Sequence, residues 1–252
     1  MNTNIYFKEA KYEFLKLFRT RRYALSVLGM PLMFYCFFAL GMPSEASFHL
    51  PAYLIATYGT FGVMSACLFG IGANLAHERS LGWLEMKRVS PMSGGVYLLG
   101  KIAANLVFCV AIELSLLATG LLFGNVKLTL WEAVRLTAVL VIGAIPFAAL
   151  GVALGYLIQA SSAPATLNML NLPMAFCSGL WIPMMFLPPF VQKLAPFLPS
   201  YHLSKLALDM IGMDSAPAAA QHCEALAAFT LIFIGFAYWA FGHQRSAAEA
   251  AV

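Results

Sequence analysis

The chain has 252 residues, of which 61% are hydrophobic and only 10% are charged, and its mean hydropathy is +0.79. Soluble domains carry a charge on about a quarter of their residues, so the composition excludes an ordinary soluble domain and predicts a membrane protein. The formal net charge of +4 comes from basic residues that flank the apolar stretches. It therefore does not indicate a surface for nucleic acid.

The first predicted element is an amphipathic helix over residues 5–20. Phe7, Phe14 and Leu17 recur at helical spacing, whereas Lys8 and its charged neighbours take the other side. A helix of this kind lies in the membrane interface rather than crossing the bilayer. The alternative is a cytoplasmic extension of the first span.

Six apolar stretches follow, and each has about the length needed to cross the roughly 30 Å hydrocarbon core of a bilayer. We therefore predict an all-α membrane protein in which residues 1–252 form one domain with six transmembrane helices. The predicted spans cover residues 23–40, 52–76, 96–123, 130–158, 165–187 and 225–241.

The distribution of lysine and arginine predicts the orientation, because basic residues are retained on the cytoplasmic side. They are concentrated before the first span and in the loop between the second and third spans. With six spans, both termini are expected in the cytoplasm, and the membrane is expected to be a bacterial-type plasma membrane. The basic residues concerned are Lys8, Lys11, Lys16, Arg19, Arg21 and Arg22, and then Arg79, Lys87, Arg88 and Lys101.

Residues 173–199 contain six of the thirteen prolines. Proline removes a backbone donor and breaks a helix, so we predict a kinked fifth span followed by short re-entrant helices. The outer re-entrant and surface segment is expected over residues 188–222.

Small residues recur at four-residue intervals in two spans, as in Gly62, Ala66 and Gly70 and again in Gly151 and Gly155. Such rows let helix backbones approach each other closely. They predict packing faces within the chain or, alternatively, at a dimer interface.

Glu113 falls near the middle of the third predicted span, where an ionised carboxylate costs about 2.5–3.5 kcal/mol. It is expected to face a substrate path or a polar interior, together with Asn168 and Asn171. Protonation or an asparagine partner is the structural alternative to a function in transport.

Catalytic and metal-binding patterns are weak in this sequence. The cysteines and histidines are dispersed, so no metal site is predicted. The run from Gly95 to Gly100 and Lys101 has the spacing of a phosphate-binding loop, but Ile102 stands where serine or threonine must hold magnesium. Acidic residues are not clustered, so we predict no cofactor on this chain and no enzymatic activity.

The second loop, residues 77–95, concentrates charge between two apolar stretches, which indicates a docking surface for a cytosolic protein. Trp83 and Leu84 are apolar anchors of the kind that carry interface energy. The alternative places Trp83 at the lipid interface, which tryptophan favours. The predicted partner-binding residues are Glu78, Arg79, Gly82, Trp83, Leu84, Glu85 and Pro91.

The spacing Glu78-Arg-x-x-Gly82-x-x-Glu85, then Pro91-x-Ser93 and Leu98-Leu-Gly100-Lys101, resembles the cytoplasmic signature of type-2 ABC transporter permeases. The basic entry to the first span at residues 18–23 and the proline-rich run over residues 178–203 are similar to the same family. One departure is Trp83, where the family more often has threonine.

The resemblance implies a permease half that pairs with a second copy, most often identical, and with two separate ATP-binding subunits that hold ATP and magnesium. In that family the region from Glu78 to Pro91 forms the coupling helix, the N-terminal helix lies beside it, and substrate passes between the permeases. We expect export of a lipid-like or amphiphilic drug-like compound, with membrane lipid as a further partner.

Two alternatives remain open at this point. A membrane-anchored scaffold or sensor would use the same loop to recruit a cytosolic protein without moving a substrate. A secondary transporter would normally show inverted repeats and more intramembrane ionisable groups than Glu113.

Overall fold

The computed structural model describes residues 3–41, 49–83, 86, 94–213 and 219–249, and helices dominate this part of the chain. Short connections join them, and two helices continue into π-helical turns at Cys36–Leu40 and Leu68–Ala73. The α-helices are α1 (Thr3–Arg19), α2 (Arg21–Tyr35), α3 (Leu50–Cys67), α4 (Asn74–Ser80), α5 (Gly94–Phe123), α6 (Leu130–Ile142), α7 (Ile145–Leu157), α8 (Ala163–Cys177), α9 (Pro189–Leu194), α10 (Pro199–Met210) and α11 (Ala219–Glu249).

Five helical stretches in the described residues are long and apolar enough to cross a membrane. The predicted all-helical membrane architecture is therefore confirmed, whereas the count of six spans is not. The five stretches are Tyr23–Leu40, Leu50–Ser80, Gly94–Phe123, Leu130–Leu157 and Ala219–Gln244.

The predicted kinked span over residues 165–187 is not confirmed, because α8 ends at Cys177. Its 15 residues extend about 22 Å, less than the hydrocarbon thickness. Gly179 adopts a φ of +72°, and the N–H of Leu180 donates to the carbonyl of Ala175 at 3.1 Å. This is the Schellman arrangement that stops a helix, and glycine supplies the positive φ that it requires.

Short helices fill the proline-rich region, as the sequence predicts. A 3-10 turn at Met184–Phe186 precedes α9, and a second at Ala195–Phe197 separates α9 from α10. Their re-entrant position in the membrane stays a prediction. Asp214 and the rest of residues 214–218 lie outside the described residues.

The stretch Leu50–Ser80 forms the centre of the bundle, and 94% of its most apolar 18-residue segment is buried. It is one continuous helical path from α3 through the π-helical turn to α4. Tyr53 near its start donates to the carbonyl of Gly179 at 2.8 Å, and Ser65 in its middle pairs with Asn171 at 3.0 Å. α8 therefore runs antiparallel to α3.

Both rows of small residues pack within the chain, so intramolecular packing is confirmed for these faces. A Cβ at Gly62 would lie 2.6 Å from Ile112 of α5. One at Gly151 would lie 2.7 Å from the carbonyl oxygen of Cys67. Such approaches between helices require residues without a side chain.

Helix α1 is separate from the first span, because Thr20 leaves helical geometry with ψ near 80°. Its apolar side packs Leu17 against Ala104 and Phe108 of α5, while Phe7 and Phe18 are exposed. The position of α1 in the membrane interface stays a prediction.

Candidate functional site

A cluster of buried charged and polar side chains joins α1, α4 and α5. Lys101 donates to Oε2 of Glu13 at 3.0 Å and to Oε1 of Glu78 at 3.1 Å. Lys16 and Tyr97 also donate to the Glu78 carboxylate. We call these five residues the charge cluster.

Charge balance makes this cluster compatible with burial. The two carboxylates of Glu13 and Glu78 face the two ammonium groups of Lys16 and Lys101. Lys101 is fully buried and Lys16 is partly exposed. Buried charges persist in proteins when they are paired and hydrogen-bonded, and removing one partner of such a pair is strongly destabilising.

Glu78 is not exposed as its place in the charged loop predicts, because its side chain is only 2% exposed, and its docking role stays a prediction. Its carboxylate accepts hydrogen bonds from Lys16, Tyr97 and Lys101 of the same chain and is not accessible at the surface. The charge cluster lies where α4 ends and α5 begins, and we call this end of the bundle the loop end. The N-terminal helix therefore lies beside the base of the second loop.

The sequence reasoning missed Glu13 and Lys101 as partners. Glu13 has the same helical spacing as Ala10, Phe14 and Leu17, so an acid stands in the apolar stripe of α1. Lys101 falls within α5, which begins at Gly94. The run from Gly95 to Lys101 is therefore helical and does not form a phosphate-binding loop.

Arg79 ties the loop end to a fourth helix. Its guanidinium Nη2 donates to the carbonyl of Ile158 at 2.7 Å, directly after α7 ends at Leu157. The last carbonyls of a helix lack partners within the helix, and a basic side chain satisfies one of them here.

The described part of the loop exposes apolar side chains. Gly82, with a φ of +72°, turns the chain after α4. Leu81, Trp83 and Met86 are 53%, 44% and 69% exposed, and the ammonium of Lys16 lies 5.1 Å from the ring centroid of Trp83. We call these three side chains the apolar edge. Leu84, Glu85 and Pro91 lie outside the described residues, and the docking role of the loop stays a prediction.

Glu113 lies in the interior between α3, α5 and α6. The side chain is fully buried, and neither carboxylate oxygen has a hydrogen-bond partner among the described residues. Gly59 of α3 leaves the space that the carboxylate occupies, and Leu140 of α6 lies beside the same position. Cys109 is buried on the same helix.

The two asparagines predicted to accompany Glu113 have different surroundings. Asn171 is buried and pairs with Ser65, which accounts for its polar groups by packing within the chain. Asn168 is exposed, so its assignment to a polar interior is wrong. A position of Asn168 on a substrate path stays a prediction.

Comparison with known proteins identifies the family of this chain. Residues 41–239 match the model of a family described as ABC-2 family transporter protein. A protein of Bacillus subtilis (strain 168), YvfS, which is named as a transport permease, is 26% identical over 212 residues, covering 82% of this chain and 86% of that protein. The resemblance inferred from the second loop is confirmed, and the chain belongs to the ABC-2 family of transporter proteins.

Proposed function

We propose that this chain is the permease subunit of an ATP-driven ABC exporter in the plasma membrane. Two copies form the substrate pathway, and each couples to a separate ATP-binding subunit that holds ATP and magnesium. The complex moves an amphiphilic, lipid-like or drug-like compound outward. Family membership supports the transport function, and the structure of the loop end supports coupling to a partner.

The apolar edge is the observation that carries the coupling proposal. Leu81, Trp83 and Met86 expose apolar surface at the end of a segment rich in charge. A cluster of exposed apolar side chains with polar surroundings is typical of a protein interaction site. Trp83 is the anchor of the proposed interface, because tryptophans that a partner buries are among the residues that contribute most binding energy.

The apolar edge is attached to several helices of the bundle, and this attachment explains how a movement of the edge is transmitted to them. The edge follows the most buried helical path, Leu50–Ser80, without an intervening linker. The charge cluster and the Arg79 hydrogen bond join α1, α5 and α7 to the same point. A displacement of the edge therefore moves four helix ends together, which is a rigid-body coupling.

The π-helical turn Leu68–Ala73 interrupts the regular α-helical hydrogen bonding of this path. π-helical turns inside α-helices are frequent at functional sites. Here the turn packs against α8 and lies between the loop end and the part of α3 that contacts Glu113. We assign it the role of the flexible joint between coupling and transport.

Co-purification with the cognate ATP-binding subunit tests the proposal. Trp83→Ala should leave the permease inserted in the membrane but reduce recovery of the ATP-binding subunit or separate ATP turnover from transport. Trp131→Ala is the matched control, because Trp131 is also exposed but lies at the start of α6, at the end of the bundle away from the loop.

Three outcomes separate the candidate functions. Loss of recovery or of coupling in Trp83→Ala, with a normal control, supports docking through the apolar edge. Normal recovery and coupling in both variants rejects it. Recruitment of a cytosolic partner whose ATP turnover the permease never affects would instead support the scaffold alternative.

A further inference from the structure

Helix α1 carries its charged side chains on different faces. Glu13 lies on the face that packs against α5, where its carboxylate accepts a hydrogen bond from Lys101. Glu9 lies on the same face, because a Cβ on Gly100 of α5 would come within 3.0 Å of its Cγ. The exposed charged side chains of α1 are all cationic, and they are Lys8, Lys11 and Arg19. The face that points away from α5 is therefore positively charged.

Three aromatic rings are exposed beside these cations, and each of them is more than half exposed. Residues four and seven positions apart lie on nearly the same side of a helix, so the rings and the cations form two adjacent rows. One row consists of Phe7, Lys11 and Phe18, and the other consists of Lys8, Tyr12 and Arg19. We call these six side chains the outer face of α1.

A membrane surface with anionic headgroups complements the outer face. Lysine and arginine are attracted to such a surface, and aromatic rings favour the depth of the headgroups. A protein partner fits less well, because lysine is depleted from protein interfaces, whereas cations and exposed rings occur together on interfacial helices. Among the described residues, none of the three cations forms an ion pair within the chain. Their charges are therefore available to a ligand outside the chain.

Two connections keep the outer face close to the bilayer. α1 ends at Arg19, only four residues before Tyr23, where the first apolar helical stretch begins. Four extended residues span at most about 14 Å. Helix α5, against which α1 packs, has 30 residues and a length of about 45 Å, so it extends beyond the roughly 30 Å hydrocarbon core into the headgroup region. Both connections favour a position of α1 at headgroup depth.

We infer that the outer face of α1 binds anionic phospholipid, with Lys8, Lys11 and Arg19 at the phosphate groups and the aromatic rings between the headgroups. On its other side, α1 contacts Glu78 through Lys16 of the charge cluster. Lipid on one side and the charge cluster on the other therefore join the loop end to the membrane surface. The inference goes beyond the transport function, since it concerns how the membrane itself binds the N-terminal helix.

Hydrogen exchange of the full chain in nanodiscs tests the inference without the ATP-binding subunit. Nanodiscs of phosphatidylcholine alone are compared with nanodiscs of equal parts phosphatidylcholine and phosphatidylglycerol. Phosphatidylglycerol should slow exchange in residues 3–19 by at least about fivefold, the factor expected when one cation gains the attraction of an anionic surface. High salt should remove the difference, because it screens exposed charges. Equal exchange in the two lipid compositions at low salt would overturn the inference.

Variants without the charges locate the lipid contact. Lys8→Gln combined with Lys11→Gln should remove most of the slowing, whereas Lys8→Arg combined with Lys11→Arg should retain it, because the charges remain. Lys127→Gln combined with Lys193→Gln is the matched control, since both of these lysines are exposed and lie outside α1. Undiminished slowing in the first variant would show that other groups attract the lipid and would contradict the inference.

Two further measurements separate lipid binding from other causes. Exchange in the buried stretch Leu50–Ser80 should be the same in all variants, which excludes loss of the fold as the reason for a change in α1. A protein contact on the outer face would instead slow exchange in residues 3–19 when the ATP-binding subunit is added in phosphatidylcholine, with no response to phosphatidylglycerol. That outcome rejects lipid as the occupant.

Discussion

The carboxylate of Glu113 on α5 packs directly against Gly59 of α3, because a methyl group on Gly59 would overlap Oε2 of the carboxylate. The two helices approach this closely because Gly59 has no side chain at the position that the Glu113 carboxylate fills. This packing places an ionisable group in the interior of the bundle, where it contacts the most buried helical path.

Gly59→Ala should destabilise the chain by about 1–3 kcal/mol, the usual cost of overpacking a filled interior. The new methyl would also lie 2.7 Å from Leu140 Cδ1, so an added Glu113→Ala should restore only part of the stability. The thermal midpoint of the purified chain measures the effect. Gly235→Ala on α11 is the control, since among the described residues no atom outside its own helical turn lies within 4 Å of its added Cβ. Equal midpoints for the two variants would contradict the packing.

Glu113→Gln should keep the fold and leave the thermal midpoint unchanged or higher. Glutamine has the same shape, and an ionised carboxylate in an apolar interior costs free energy that an amide does not. If Glu113 acts in transport, substrate-stimulated ATP turnover with the partner subunit should change, while Glu224→Gln on α11 should not affect it. Unchanged stability and turnover would show that the acid is incidental.

Lys101→Met should destabilise the chain by about 3–5 kcal/mol, because it leaves the buried carboxylates of Glu13 and Glu78 undercompensated. Release of α1 from α5 should appear as faster hydrogen exchange in residues 3–19. Adding Glu13→Gln should recover part of the loss, since one uncompensated acid is removed. Lys193→Met, at an exposed position, serves as the control. An unaltered exchange rate in α1 would be inconsistent with the cluster as an anchor.

Topology mapping should place His77 in the cytoplasm and Ser44 and Asp214 outside, as the basic residues predict. This assignment counts α8 as a sixth crossing, supported by its antiparallel course beside α3. Accessibility of single cysteines to impermeant reagents in intact cells gives the readout. A cytoplasmic Asp214 would require a different number of crossings between α5 and α11.

Local patterns in the sequence were sufficient for the class of fold and for the family. Long apolar runs predicted the stretches from Leu50 and from Gly94, and the small-residue rows at Gly62 and Gly151 predicted helix faces that do pack closely. These features are local, because hydropathy and helical periodicity depend on neighbouring residues. The spacing around Glu78 and Gly82 predicted the family, and the family match over residues 41–239 confirms that prediction.

Only the tertiary structure decided which polar groups meet. Lys101 pairs with Glu13, 88 residues away, and Asn171 with Ser65, 106 residues away, so no local pattern specifies either contact. The same holds for Glu78, whose position in a charged loop predicted exposure although α1 covers it. A buried charge is stable only where the assembled helices bring its partners together, and that arrangement depends on the packing of the whole bundle.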